Sequence, residues 1–408
     1  MCGTDIASAP VNKNSSLPSS NGLPSVNATR TSTPTLHPHS FINLEQGDPT
    51  VFESYWKKMG DKCTVVIKGS DLLSYMTDLS NVCWFMLPEL RDAIERLHRV
   101  VGNAVTDGKY IVVGTGSTQL FQAALFALSS PDNAQPLSVV AAAPYYSEYP
   151  EEVDYLRSGL YKWAGDAHVF DKDGGAYIEV VTSPNNPDGS LREPVVKGGK
   201  GKLIHDLAYY WPHYTPINHM ADYNIMNFTL SKCTGHAGSR IGWAIVKDKE
   251  VAKKMTRFIQ MSSIGVSRES QRRAAKIMEV ICESYENVMH MRSDKFFDHS
   301  KAVMTERWDK LKKVVEQSEV FSLENYPKSC CYFTGEITET QPAFAWLKSK
   351  NGIDDCESCL RGLKILSRGG IRFGADPKYA RLSMLSREDQ FNEFLRRLSN
   401  VRGISNGH

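Results

Sequence analysis

One lysine of the sequence has neighbours suited to covalent chemistry with a carbonyl compound. Lys232 follows the apolar run 225–230 and should lie at the end of a strand. Schiff-base formation needs an amine that is partly desolvated and close to a cation, because both lower its pKa. Arg240 offers a planar fork for a phosphate, and Thr229 and Ser231 add hydroxyl groups. Taken alone, this segment is equally compatible with a structural lysine beside a glycine-rich loop.

A second segment has the composition of an anion site. The residues 114–118, Gly-Thr-Gly-Ser-Thr, stand between a predicted strand and a predicted helix, so backbone amides near Ser117 and Thr118 should point at a negative charge. Glycine-rich turns between strand and helix are common, and the segment by itself is weak support for a phosphate site.

Three further strand ends carry polar or aromatic groups. Asp206 could pair with a protonated ring nitrogen of a cofactor, and Tyr209 could donate to a phenolic oxygen on the same ring. Asn186 could bond that oxygen too, and Tyr146 could stack on the ring face. Helix capping, turn chemistry and core packing are the ordinary alternatives for these residues taken singly.

The elements that must position these groups alternate along the chain. Short β-rich runs are followed by turns and helices, which indicates an α/β fold with a mostly parallel sheet buried on both faces. Ligands of such sheets bind at the carboxyl ends of the strands, where all the groups above should lie. The predicted strands are 109–113, 138–143, 177–182, 203–205, 225–230 and 241–246, and the predicted helices are 87–101, 119–128 and one near 151–158.

The rest of the chain suggests a division into four parts. Residues 1–40 are rich in Ser, Pro, Asn and Thr and are predicted to be a disordered tail, with a plastid transit peptide as the alternative. Residues 41–80 and 311–404 should form a smaller α/β domain, and 81–310 a large domain. Ser386 to Asp389 resembles a capping box that would begin the last helix.

Composition excludes several classes of function. The formal net charge of +2 favours neither a nucleic-acid groove nor a membrane surface, and no apolar run is long enough to span a bilayer. We expect a cytoplasmic protein, because a secretory signal pattern is missing and nine scattered cysteines suit a reducing compartment. Cys356 and Cys359 form a CxxC pair without a second pair at ligand spacing, so no metal is expected.

In this order the segments resemble fold-type I aminotransferases, and they are closest to the plant tryptophan aminotransferases of auxin synthesis, which share a domain with the alliinases. The resemblance covers residues 41–402. It rests on the segments 47–49, 112–119, 183–189, 205–214, 231–243 and 380–386.

The resemblance implies a fold-type I enzyme with pyridoxal 5'-phosphate as cofactor, and it implies a role for each matched residue. Lys232 would hold the cofactor covalently and move the substrate proton, with Asp206 on the ring nitrogen and Arg381 on the substrate carboxylate. Gly47 would contact the substrate, and Tyr75 would reach the phosphate of a neighbouring subunit in a homodimer. The remaining cofactor-binding residues would be Ser117, Thr118, Tyr146, Asn186, Tyr209, Thr229, Ser231 and Arg240.

The implied reaction is transfer of the amino group of L-tryptophan to pyruvate, giving indole-3-pyruvate and L-alanine for auxin (indole-3-acetic acid) synthesis. Candidates to cradle the indole are Phe85, Tyr149 and Trp163. Alternatives are transamination of another aromatic or hydrophobic amino acid, and an alliinase-like C–S lyase reaction. A non-catalytic ligand-binding protein is disfavoured because Lys232, Asp206 and Arg381 are all present.

Overall fold

A computed structural model describes residues 40–171, 175–197, 201–286, 291–350 and 352–401. The predicted tail at 1–40 lies almost entirely outside these residues, and the division of the chain into domains stays a prediction. The strands, in chain order, are β1 Ile42–Asn43, β2 Tyr110–Gly114, β3 Leu137–Ala141, β4 Tyr161–Asp166, β5 Tyr177–Thr182, β6 Lys202–Asp206, β7 Ile225–Thr229, β8 Gly242–Val246, β9 Phe321–Leu323, β10 Lys328–Cys331, β11 Glu336–Glu339, β12 Phe344–Ser349, β13 Ile365–Leu366, β14 Arg368–Gly369 and β15 Tyr379–Ser383.

Helices cover the sheets and connect their strands. The α-helices, again in chain order, are α1 Glu53–Lys58, α2 Pro88–Val101, α3 Gly116–Leu128, α4 Tyr149–Asp154, α5 Leu230–Cys233, α6 Lys249–Ser263, α7 Arg268–Glu286, α8 Phe296–Ser318, α9 Cys356–Gly362 and α10 Glu388–Ser399. In the part of the chain covered by these ranges, no helix is both long and apolar enough to cross a membrane.

The main sheet has seven strands in the order β2-β8-β7-β6-β5-β3-β4. The pairs from β7 through β4 are parallel, whereas β8 runs antiparallel to both β2 and β7. β5, β7 and β8 are buried at every position, as expected for strands covered on both faces. The predicted α/β fold with a mostly parallel sheet is confirmed.

A second sheet of four strands, β14-β15-β12-β9, is antiparallel throughout. Its strand β15 carries Arg381, paired in register with Trp346 of β12. The N-terminal strand β1 pairs in parallel with β13. This pairing places the segment that follows β1 next to β13.

Most predicted elements are confirmed. In the helix predicted at 87–101, both the apolar spacing and the residues at the two ends agree with the structure. Leu90, Ile94, Leu97 and Val101 are all buried, so the apolar stripe faces the core as the spacing requires. The helix begins with Pro88 at its first position and ends at Gly102, whose φ of 71° is the left-handed conformation that favours glycine at a helix end.

Three details differ from the sequence-based expectations. The helix expected near 151–158 is α4 and begins earlier, at Tyr149, and β4 was not expected at all. The capping box at Ser386 is wrong, because α10 begins after Arg387 and the buried Ser386 hydroxyl has no hydrogen-bond partner. Arg307 instead donates to the Met384 and Ser386 carbonyl oxygens, at 2.8 and 2.7 Å, so a tertiary contact holds the chain before the helix.

Candidate active site

The carboxyl ends of five strands meet around one cavity. Because β2 and β7 are both antiparallel to β8, they run in the same direction as β3, β5 and β6, and all five end at the same edge of the main sheet. The empty space of this cavity, counted together with the part that opens to solvent, is about 540 Å³. It is lined by Ser117, Thr118, Phe121, Tyr146, Tyr149, Glu152, Thr182, Asn186, Asp206, Ala208, Tyr209, Asn227, Thr229 and Lys232.

Lys232 lies in the short helix α5, directly after β7. Its Nζ donates to the Gly47 carbonyl oxygen and lies 6.0 Å from the centroid of the Tyr209 ring. Burial lowers the pKa of Lys232 to about 8, and Arg381 and Arg240 act in the same direction while Asp48 opposes them. The amine is therefore unprotonated more often than an ordinary lysine near neutral pH, as nucleophilic attack requires.

Asp206 stands at the end of β6 with two hydrogen-bond donors. The Tyr149 hydroxyl donates to Oδ2 at 2.8 Å, and the Ala208 amide donates to Oδ1 at 3.1 Å. Burial raises the pKa of Asp206, and these two hydrogen bonds oppose the rise. A carboxylate held in this way can accept from a cationic ring nitrogen in the cavity.

A chain of side chains connects Tyr209 to Arg381. Asn186 Nδ2 lies 3.5 Å from the Tyr209 hydroxyl, and Asn186 Oδ1 accepts from Arg381 Nη1 at 2.9 Å. Arg381 Nη2 donates to the Glu45 carbonyl oxygen at 2.8 Å, and its guanidinium carbon lies 4.1 Å from the centroid of the Phe344 ring. The buried Nε has no hydrogen-bond partner, so Arg381 keeps donor capacity for a carboxylate.

A candidate phosphate site lies at the start of α3. Gly116 has a φ of 77°, and a Cβ at this position would stand 2.5 Å from Arg240 Nη2, so glycine allows the guanidinium to approach the turn. Ser117 and Thr118 line the cavity in the first turn of this 13-residue helix. The Arg240 guanidinium, the hydroxyls of Ser117 and Thr118 and the N-terminus of α3 together favour the binding of an anion.

The other expected site residues take less direct positions. Thr229 lines the cavity and accepts from the Ser231 amide at 3.3 Å, whereas Ser231 is buried behind it. Tyr146 lines the cavity and meets Tyr149 edge to face at 5.3 Å between ring centroids. Tyr75 is 59% exposed and does not line this cavity.

Of the three indole candidates, Tyr149 lines the cavity, whereas the other two lie outside it. Tyr149 is buried and its hydroxyl is engaged with Asp206, while Trp163 packs edge to face on Tyr145 at 5.0 Å. Phe85 packs on Trp84 at 5.2 Å, and neither Phe85 nor Trp163 lines the cavity.

Besides Asn227, which lies within β7, sequence reasoning missed two polar residues of the cavity. Thr182, the last residue of β5, lies 2.7 Å from the Tyr149 hydroxyl. Glu152, on α4, has a pKa raised to about 7 by burial, with Asp206 and Glu148 adding to the rise. Their place at a strand end and in the first turn of a predicted helix was the available signal, but the cavity became visible only in three dimensions.

Comparisons with known proteins show the family of this chain. The allinase family profile matches residues 42–402. The chain belongs to the allinase family. Its relatives in this family include "Tryptophan aminotransferase-related protein 2" of Oryza sativa subsp. japonica, 51% identical with 92% of this chain and 76% of that protein covered. The protein of the same name from Arabidopsis thaliana is 54% identical over 88% of this chain and 81% of that protein. "Alliin lyase 1" of Allium sativum is 37% identical over 86% and 73%.

Solved structures support the fold of this family member. A methionine aminotransferase of Escherichia coli matches with a TM-score of 0.60 at 16% identity, covering 88% of this chain and 93% of that one. The aspartate aminotransferase of Thermus thermophilus, solved with maleate, matches with a TM-score of 0.60 at 18% identity and covers 89% and 92%. The chain therefore has the fold of type I aminotransferases.

Pyridoxal 5'-phosphate is the cofactor of this allinase-family protein, and the residues present fit it. An aldehyde needs the buried amine of Lys232, a phosphate needs the cradle at Gly116 and Arg240, and a protonated ring nitrogen needs a carboxylate such as Asp206. The aminotransferase fold and the named relatives identify the chain as an enzyme of the pyridoxal-phosphate transaminase type.

The first prediction concerns the reactivity of Lys232. The rate at which cofactor-free protein captures pyridoxal phosphate should rise with pH along a curve centred near pH 8, because the ammonium form below that pH cannot attack an aldehyde. Borohydride trapping followed by peptide mapping measures the rate at this residue. Asp48→Asn should move the curve to lower pH, because Asp48 raises the pKa of Lys232. A curve centred near pH 10.5, the ordinary value, would contradict the prediction.

Proposed function

We propose that this protein transfers the amino group of L-tryptophan to pyruvate, giving indole-3-pyruvate and L-alanine in auxin synthesis. The relatives named for tryptophan aminotransferases are 51% and 54% identical, against 37% for the alliin lyase, and this difference favours transamination. The structural observation that carries the proposal is Arg381, a buried guanidinium with an unpartnered Nε, connected through Asn186 to the cavity of Lys232.

The proposal assigns a role to each group of the site. The bound cofactor supplies a ring that draws electrons from the substrate Cα. Lys232 would hold the cofactor and would also move the proton of the substrate Cα. Asp206 accepts from the ring nitrogen, and Asn186 and Tyr209 bind the phenolic oxygen. Phosphate contacts come from Ser117, Thr118, Thr229, Ser231 and Arg240, and Tyr146 stacks on the ring.

Arg381 gives the site its preference for amino acids over simple amines. Two parallel hydrogen bonds from one guanidinium match the geometry of a carboxylate. Gly47 contributes through its small size, because a Cβ there would stand 2.8 Å from Phe344 and 3.1 Å from Lys232 Nζ. With the carboxylate on Arg381, the Cα of the substrate would be directed toward the lysine amine.

Transamination itself is tested with purified protein, L-tryptophan and pyruvate. We expect indole-3-pyruvate, followed as its enol-borate complex, and alanine in equal amounts. Lys232→Ala should lower the rate by at least about 100-fold, the lower range for a lost general base, whereas exposed Lys254→Ala should not. Pyruvate released from alliin without an acceptor would establish the lyase reaction instead. Another amino acid as the preferred donor would refute the tryptophan assignment.

The role of Arg381 predicts a carboxylate-specific loss. Arg381→Gln should weaken inhibition by indole-3-propionate about 10- to 100-fold, because charge-assisted hydrogen bonds to the carboxylate disappear. Inhibition by 3-methylindole, which has no carboxylate, should not change. Inhibition constants against tryptophan turnover measure both effects. Arg387→Gln, which removes an exposed arginine paired with Glu53, is the control. Equal losses for the two inhibitors would contradict the assignment.

We further propose a homodimer in which Tyr75 reaches the phosphate of the neighbouring site. Tyr75 lies in the segment 64–87 between the first helices, which has no regular secondary structure. Several large apolar side chains of this segment are exposed, and such a concentration is typical of protein interfaces. The exposed fractions are 75% for Val66, 85% for Leu73, 59% for Tyr75, 49% for Met76 and 72% for Leu79.

Subunit mixing tests the crossing of Tyr75. A dimer of one Lys232→Ala chain and one Tyr75→Phe chain should regain one complete site, because the intact lysine then meets the partner's intact tyrosine. At a cofactor concentration too low to saturate the Tyr75→Phe homodimer, the refolded mixture should exceed the summed activities of the two homodimers. If Tyr75 serves its own subunit, mixing restores nothing. A monomer by light scattering would also contradict the proposal.

A further inference from the structure

Three side chains from three elements form a hydrogen-bonded line that ends on Asp206. Thr182 terminates β5, Tyr149 begins α4, and Asp206 terminates β6. The Tyr149 hydroxyl lies 2.7 Å from Thr182 Oγ1 and 2.8 Å from Asp206 Oδ2. A phenol has one proton, and an ionised carboxylate can only accept. Tyr149 must therefore donate to Asp206, and Thr182 donates to Tyr149.

The surroundings of Tyr149 fix this direction. Its ring is 2% exposed and packs against Phe121 and Tyr146, with centroids 5.0 and 5.3 Å away, so the hydroxyl has little freedom to turn elsewhere. Burial and the neighbouring Asp206 raise the pKa of Tyr149 well above that of a free phenol, and the group stays protonated. The line therefore delivers a permanent donor to one carboxylate oxygen.

We propose that Tyr149 is a positioning residue that, anchored by Thr182, holds Asp206 ionised and aimed at the ring nitrogen of the cofactor. The inference deepens the proposed function, because it rests on the same assignment of Asp206. The Ala208 amide occupies Oδ1 at 3.1 Å, and Tyr149 occupies Oδ2, so the carboxylate cannot rotate without losing a donor. Each oxygen keeps a further lone pair for the ring.

Loss of the Tyr149 hydroxyl should weaken only the interaction of Asp206 with the ring nitrogen of the cofactor. Removing the Tyr149 hydroxyl leaves a buried carboxylate with one donor fewer, which favours its protonated form. A protonated Asp206 no longer stabilises a cationic ring nitrogen. A ligand with carbon at that ring position has no cationic nitrogen for Asp206 to stabilise, so its binding does not depend on the ionisation of Asp206.

The test compares binding of pyridoxal phosphate with binding of its 1-deaza analogue, in which a CH replaces the ring nitrogen. Tyr149→Phe should weaken equilibrium binding of pyridoxal phosphate by at least about tenfold, the effect of one hydrogen bond to a charged group. Binding of the 1-deaza analogue should be unchanged. Equal weakening of both ligands would show a packing role and overturn the proposal, and so would an unchanged affinity for both.

Two further measurements complete the test. Thr182→Val, which leaves Tyr149 in place, should cause a smaller loss that is again specific to the ring nitrogen, and equal losses for the two ligands would contradict the line. The nitrogen-15 resonance of ring-labelled cofactor should move toward its unprotonated position in Tyr149→Phe, and an unmoved resonance would refute the inference. Tyr161→Phe, a buried tyrosine of β4, is the matched control.

Neither measurement uses an amino acid or an oxo acid. A wrong substrate in the proposed function would therefore leave the result intact. A failure of the ring-nitrogen effect would overturn the inference on Tyr149 while the turnover of tryptophan could still be observed.

Discussion

The burial of a single amine, that of Lys232, is the constraint on which the site depends. Removing an ammonium group from water is costly, and a protein that keeps a lysine inside must either pair it or lower its pKa. Among the described residues the amine forms no ion pair, and its hydrogen-bond partner is the Gly47 carbonyl oxygen. Two arginines add repulsion. Burying this amine therefore lowers the stability of the fold and makes the amine a better nucleophile.

The two arginines that lower the pKa of Lys232 come from different parts of the fold. Arg240 follows α5 and lies against the turn at Gly116, whereas Arg381 belongs to β15 of the second sheet. One guanidinium lies close to Gly116 and the other donates to Asn186, and both lower the pKa of Lys232. The positive potential that lowers the pKa of Lys232 is the same potential that can attract two anionic ligand groups.

Local pattern predicted the groups on the main sheet, because each stands just after a run of apolar residues. The ends of β2, β5, β6 and β7 could be located in this way, and with them Ser117, Asn186, Asp206 and Lys232. Contacts between distant segments could not be predicted. The bond from Arg381 to Asn186 spans 195 residues, and the sequence carries no local signal for the bond from Tyr149 to Asp206. The start of α10 was predicted wrongly, and there too the chain before the helix is held by a distant residue, Arg307 of α8.

The short stretch after β1 has a consequence for shortening the chain. The carbonyl oxygens of Glu45 and Gly47 accept hydrogen bonds from Arg381 and Lys232, and Arg397 of the last helix donates to the carbonyl oxygen of Ser40. These acceptors belong to the backbone, so a side-chain substitution at these positions does not remove them, whereas deletion of the segment does. Trimming that stops before Ser40 spares them all, whereas a cut a few residues farther along removes the N-terminal anchor and then the oxygens that orient Arg381 and Lys232.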